Sequence, residues 1–207
     1  MHAAQQAARE LRRSLSRGLF RPGTRLTEAA CAADLGISRN TLREAFAMLE
    51  AEGLLERLPH RGVAVAVPTA ESVRDLYQAR MLIEPAALRW GHNPQPDRLL
   101  SITAAARRAA ADLRIDAVAA HNQNFHRAIV AGAESTILNE TMDRLLARMR
   151  LAFLKASAVE PDFHVRFVAD NEDVAALLAA GQRDQAAERL HRALAVTSGD
   201  VEKLLDA

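Results

Sequence analysis

The stretch Leu35-Gly-Ile-Ser-Arg-Asn-Thr-Leu-Arg-Glu-Ala-Phe-Ala-Met-Leu-Glu-Ala-Glu-Gly-Leu-Leu55 constrains this chain more than any other. Gly36 ends one helix, and Ser38 caps the next, because its hydroxyl accepts from the free N–H groups of the following turn. Leu42, Ala45, Phe46 and Leu49 recur at helical spacing and give that second helix one buried face. Arg39, Asn40 and Arg43 fall on a different side, beside the helix N-terminus. In a helix-turn-helix, side chains placed there meet base edges and phosphates. The pattern predicts a chain that reads duplex DNA.

The flanking segments extend this reading. Gly53 stops the helix, since glycine tolerates the left-handed conformation found at such ends. Residues 54–58 and 63–67 read as two short strands, the second with β-branched residues at alternate positions. Between them Pro59-His60-Arg61-Gly62 supplies turn chemistry and puts His60 and Arg61 at a hairpin tip. Upstream, residues 3–18 form an amphipathic helix with Ala4, Ala8, Leu11, Leu15 and Leu19 on one side. Arg21-Pro-Gly-Thr24 turns the chain, and Thr27 is the expected cap of a helix that runs to Leu35. The expected N-terminal domain, residues 1–68, is a winged helix-turn-helix with a two-stranded wing.

Charge is biased in the same direction. Residues 1–67 hold 10 arginines against 7 acids, whereas the remaining 140 residues hold 17 basic groups against 19 acids. Phosphate binding requires positive charge on the reading head. With only Lys155 and Lys203 as lysines, the contacts fall to arginine, whose planar fork suits guanine and phosphate. Cys31 is the sole cysteine, which excludes an intrachain disulfide and fits a reduced, cytoplasmic setting. No signal-peptide-like apolar core opens the chain and no apolar run approaches membrane-spanning length, so no membrane partner is expected. A glycine-rich phosphate loop, a nucleophile elbow and a His-Glu-x-x-His pair are all missing from the sequence, so an enzyme is not expected either.

Beyond a boundary at Pro68-Thr69 the pattern is helical throughout. Residues 70–90 carry Val73, Leu76, Tyr77, Arg80, Ile83 and Ala87 along one stripe, and Pro94 and Pro96 stop propagation. Further helices are predicted over 97–113, 115–131, 135–157, 163–180 and 184–197, the last continuing toward Leu205. Six helices with short loops make an all-α antiparallel bundle over residues 69–207. The fold class is thus mainly α.

Two resemblances add to this. Leu19-Phe-Arg-Pro-Gly-Thr-Arg-Leu-Thr-Glu28, Leu35-Gly-Ile-Ser-Arg39, Leu42-Arg-Glu-Ala45, Leu49-Glu-Ala-Glu-Gly-Leu54 and Arg61-Gly-Val63 resemble the winged helix of GntR-family repressors. That resemblance implies operator contacts from Arg39, Asn40, Thr41 and Arg43, on the turn capped by Ser38, and minor-groove contact from Arg61 and Gly62. Ala29 stands where some members carry a further arginine. In the second half, Tyr77–Ala87, Asn122–Ile129 and Ala179–Ala187 resemble the FCD effector domain of FadR-type members, with the six-helix count of the VanR-type branch. The implied protein is a homodimer on a two-fold operator, with a pocket in each bundle for a small organic acid or related metabolite.

The family's pocket-facing arginine matches Arg80, which suits a bidentate contact to an anion and alternatively pairs with Glu84. Arg148 or Arg150 is expected to add a second charge. Many such pockets hold a divalent metal through an Asp or Asn, a histidine one turn later and two further histidines. Asn122 and His126 match the first pair and share a helix face. The third and fourth positions read Asn171 and Ala193, poor or absent ligands. His191 is rotated away from Ala193, His164 lies on the same face as Asn171 but about two turns before it, and His121 is expected to face elsewhere. No metal is therefore expected. Asn122, His126 and Asn171 become hydrogen-bonding groups for the effector, with a satisfied core histidine as the alternative for His126. Two other functions stay open: a metal-dependent sensor built on Asn122 and His126, and a helical adaptor that binds no DNA.

Overall fold

A computed structural model describes residues 3–59 and 62–206. His60 and Arg61, expected at the wing tip, lie outside the described residues. Contacts divide the chain into two units, Met1–Pro68 with Leu146–Lys155, and Thr69–Leu145 with Ala156–Ala207.

The first unit contains α1 (Ala3–Ser16), β1 (Arg25–Leu26), α2 (Glu28–Leu35), α3 (Arg39–Ala51), β2 (Leu55–Leu58) and β3 (Gly62–Val65). Ala4, Ala7, Ala8, Leu11 and Leu15 line the buried face of α1, and Leu42, Ala45, Phe46 and Leu49 that of α3. These faces share a core with Leu26, Leu54, Val63 and Val65, each side chain gaining about 1.5–3 kcal/mol if large and apolar. Ala147 and Leu151 complete this core. A half-buried ion pair at the rim, Arg12 Nε and Nη2 to the two Glu52 oxygens at 2.6 Å each, ties α1 to the end of α3. Gly36 adopts φ 63°, and its N–H returns to Ala33 O and Ala32 O. Only one residue separates this stop from Ser38, which fixes the tight turn between α2 and α3.

Three antiparallel strands form the sheet, in the order β1-β3-β2. The two-stranded wing expected from sequence therefore gains a strand: Arg25 faces Ala64 and Leu26 faces Val63. A two-residue strand carries no alternation to read, and only pairing with β3 makes it extended. Thr27 has cap geometry but no side-chain cap bond.

The second unit contains α4 (Ala70–Trp90), α5 (Pro96–Ala111), α6 (Ile115–Ala131), α8 (Phe167–Ala179), α9 (Arg183–Asp206) and both ends of α7 (Thr136–Val159). Helix α4 packs on α9 and α6, α5 on α6 and α8, and α8 on α9. A reciprocal capping box between Thr69 and Ser72 starts α4. Pro85 lies inside that helix and has no N–H for the Met81 carbonyl. His191 Nδ1 on α9 donates to Met81 O instead, at 3.3 Å. At the helix end, Arg183 donates to Leu88 O at 2.8 Å and to Gly91 O at 2.6 Å, satisfying carbonyls that the helix leaves open. Helix α8 begins at Phe167, later than the expected 163, because residues 161–166 form a turn closed by the edge-to-face pair Phe163–Phe167.

Candidate nucleic-acid interface and effector site

The first turn of α3 is a polar surface with a specific wiring. Ser38 Oγ accepts from Thr41 N at 3.1 Å and lies 2.8 Å from Thr41 Oγ1. Its role is therefore to shape the turn. Arg39 and Asn40 are exposed, and Asn40 Nδ2 donates to Glu44 Oε1 at 3.3 Å. Arg43 projects with a 61% exposed side chain, and its Nε donates to Glu28 Oε2 at 2.8 Å. Gly62 is exposed at the start of β3. Arg39, Asn40, Thr41 and Arg43 thus occupy one accessible helix end, the arrangement a major groove admits.

The helical unit holds a second polar assembly. Arg80 Nε donates to Glu84 Oε1 at 2.5 Å, and His126 Nδ1 lies 2.5 Å from Glu84 Oε2. All three residues are buried. Burial pushes the Glu84 carboxyl up, but the Arg80 and His126 charges and hydrogen bonds bring it below its ordinary value. Burial pulls Arg80 down, and Glu84 more than restores it. His126 is lowered by burial, with the attraction of Glu84 opposing and the repulsion of Arg80 adding. The assembly is thus Arg⁺, Glu⁻ and neutral His. An ionised carboxylate only accepts, so Nδ1 of His126 carries the hydrogen. Tyr77 packs under the Arg80 guanidinium at 5.1 Å, and burial raises its phenol well above the ordinary range. Tyr77 Oη and Arg80 Nη2 are buried with no hydrogen-bond partner among the described residues.

Asn171 Nδ2 donates to Asn122 Oδ1 at 2.8 Å, joining α8 to α6. These two amides, with His121, His164, Thr103 and Phe125, line a cleft of about 210 Å³ including its open mouth. The donor set is a weak one for a metal, since carboxamides stand where such ions favour imidazole or carboxylate. Position 193 is an alanine and supplies no ligand, while Asn122 and Asn171 are hydrogen-bonded to each other through their amides. Among the described residues no group of three His, Cys, Asp or Glu is placed to hold one.

Comparison with known proteins decides what this arrangement belongs to. The family model for bacterial regulatory proteins of the gntR family matches residues 3–65, and that for the FCD domain matches residues 75–196. The chain is a GntR-family regulator with an FCD domain. It is 34% identical over 79 residues to the uncharacterized HTH-type transcriptional regulator YdhC of Bacillus subtilis, covering 38% of this chain and about a third (35%) of that relative. Identity to the HTH-type transcriptional repressor GlaR of Escherichia coli is 29% over 162 residues, covering 73% and 74% of the two chains. The solved structure of a GntR regulator from Rhodococcus sp. RHA1 superposes with a TM-score of 0.85 at 30% identity, covering 97% of this chain and 98% of that one. Relatives and family models alike are transcriptional regulators, so an enzymatic role falls away.

Several expected site residues in this GntR regulator stand elsewhere than the sequence suggested. Arg148 does not line the cleft. It belongs to the first unit, where a Cβ added to Gly53, a residue at φ 70°, would stand 3.2 Å from its Nε. Arg150 likewise lies against Gly18. Arg80 and His126 are absent from the cleft lining, because Glu84 binds both. His121 does line it, contrary to expectation, since α6 presents two adjacent residues to the opening. His164 reaches it from the turn before α8, where helical spacing does not apply. Glu28 and Tyr77 escaped notice as site residues; their signals were the fixed spacing across the turn and the Tyr77-x-x-Arg80 step on one helix face. Cys31 is half-buried, and burial followed by the nearby Asp34 raises its thiol, which leaves it unreactive.

Proposed function

We propose that this chain is a cytoplasmic, ligand-responsive repressor whose homodimer places two reading heads on an operator of two-fold symmetry. A small anionic metabolite held in the helical unit changes its operator affinity. Membership of the GntR family supports the DNA-reading half, and the repressor GlaR supports the sign. The observation that carries the ligand half is the buried pair Tyr77 Oη and Arg80 Nη2, which attract each other but make no well-formed hydrogen bond among the described residues. A buried donor left unmade costs about 1–3 kcal/mol, so an incoming acceptor recovers that much. Glu84 engages Arg80 through Nε and leaves Nη2 for a second carboxylate. The amides and histidines that line the cleft add hydrogen-bonding groups for the rest of the molecule. No cofactor is part of this reading.

The test has two arms. The full chain is used to select duplexes from a random 30-base-pair pool, and small mono- and dicarboxylates are compared with their amides by thermal shift. The expected result is an enriched two-fold sequence and a melting shift from an acid but not its amide, lost in Arg80→Gln. A chain that enriches nothing is an adaptor rather than a regulator; shifts that survive Arg80→Gln remove the anion site. Chelator treatment is expected to leave the melting temperature unchanged. A drop restored by zinc or manganese would instead make Asn122 and His126 ligands of a divalent metal.

A further inference from the structure

Glu28 stands outside the reading helix, yet it holds one of that helix's arginines. It is the first residue of α2, fifteen positions before Arg43, and its Oε2 accepts from Arg43 Nε at 2.8 Å. The bond crosses the turn between the two helices. Its placement follows from the Gly36 stop and the Ser38 cap, which fix how the start of α2 meets the first turn of α3.

Two physical consequences follow from using Nε rather than the terminal nitrogens. A guanidinium has five N–H groups in a rigid plane, so fixing Nε fixes the direction of both Nη groups. Among the described residues those Nη groups have no partner, and the side chain is 61% exposed. The end-on edge that can grip guanine O6 and N7 is left free and oriented. The second consequence is electrostatic. Glu28 places a negative charge beside a guanidinium that would otherwise bind any phosphate within reach. A bare arginine gains from counterion release on every sequence alike, and a carboxylate at its base weakens that indiscriminate attraction. Arg39 has no such carboxylate among the described residues and keeps its full charge for the backbone. The two arginines of the turn are therefore chemically unlike, although the sequence presents them as a pair.

Resting on the DNA-binding role proposed above, we infer that Glu28 is a selectivity-determining positioning residue: it holds Arg43 for base reading and suppresses its binding to phosphate. The alternative is purely structural. An acidic residue in the first turn of α2 also favours that helix through its dipole. Such a role would lower the melting temperature and weaken all DNA binding by one common factor.

The experiment measures dissociation constants of the full chain for a duplex that the wild type selects from a random pool and for its scrambled sequence, over a salt series. Wild type, Glu28→Ala, Arg43→Ala and the double variant are compared. In Glu28→Ala, affinity for the scrambled duplex is expected to rise, its salt slope to steepen by about one per reading head, and the selected-to-scrambled ratio to fall about tenfold. In the Arg43→Ala background, Glu28→Ala should leave that ratio unchanged, because the two residues act as one unit. An unaltered ratio and slope in Glu28→Ala overturns the inference. So does a loss of ratio that persists at full size without Arg43. A wild-type chain that selects no sequence at all defeats the DNA-binding reading and this inference with it, which is a distinguishable outcome.

Discussion

Arg43→Ala is expected to lower affinity for the selected duplex by about 10²- to 10⁴-fold while leaving the melting temperature within a degree or two. The magnitude follows from a bidentate arginine–guanine contact at about 1–3 kcal/mol, made twice in the proposed two-fold dimer. The small stability effect follows from exposure. Arg43 contributes one solvent-facing ion pair, and such pairs contribute about 0–1 kcal/mol. Arg43 is not among the buried residues of α3, which are Leu42, Ala45, Phe46 and Leu49. Fluorescence anisotropy with the selected and scrambled duplexes, alongside thermal unfolding, separates the two quantities. Retained affinity for the selected duplex would move base reading away from the first turn of α3. Equal loss on both duplexes would make Arg43 a phosphate contact and transfer selectivity to Arg39 or Asn40.

The parts of this architecture that were legible in the sequence are those encoded by local chemistry. Helical periodicity placed α4 at 70–90 and α6 at 115–131, and both stand there. Ser38 and Gly36 are visible because capping and left-handed conformations demand particular side chains, and both act as expected. What the sequence hid depends on partners far along the chain. Strand β1 is extended only because β3 lies beside it. Arg148 was expected in the effector pocket because periodicity assigns a helix a face but not a neighbour, and the middle of α7 packs with the first unit. The same limit applies to Arg80. Spacing offered Glu84 as a partner four residues on, but the claim of His126 on the other carboxylate oxygen, 42 positions away, needed the fold. His164 does share the cleft with Asn171, but the two-turn helical separation does not apply, because residues 161–166 form a turn.

Glu84→Leu is expected to cost about 3–5 kcal/mol, because it leaves the Arg80 guanidinium buried without its countercharge. For a chain of this size that corresponds to a fall in melting temperature of about 6–20 °C. The double variant Arg80→Met with Glu84→Leu should recover most of the loss, since two apolar side chains of similar volume need no countercharge. A double variant as unstable as the single one would mean that packing volume, rather than the orphaned charge, sets the cost. The same assembly makes stability depend on pH in a definite direction. His126 and Glu84 are both held below their ordinary pKa values in the folded chain, so the unfolded chain binds more protons on acidification. Stability from His126 is complete above its unfolded value of about 6.5 and declines as pH falls below it. The contribution of Glu84 persists to lower pH, beginning to fall only near the unfolded carboxylate value of about 4.3. The wild type should therefore melt at a lower temperature at pH 5.5 than at 7.5, and His126→Gln, which keeps a donor for Glu84 but cannot titrate, should lose much of that difference. A wild-type profile flat across this interval would show that the imidazole titrates alike in the folded and unfolded chain, and a melting temperature that rises on acidification would show that it is charged in the fold.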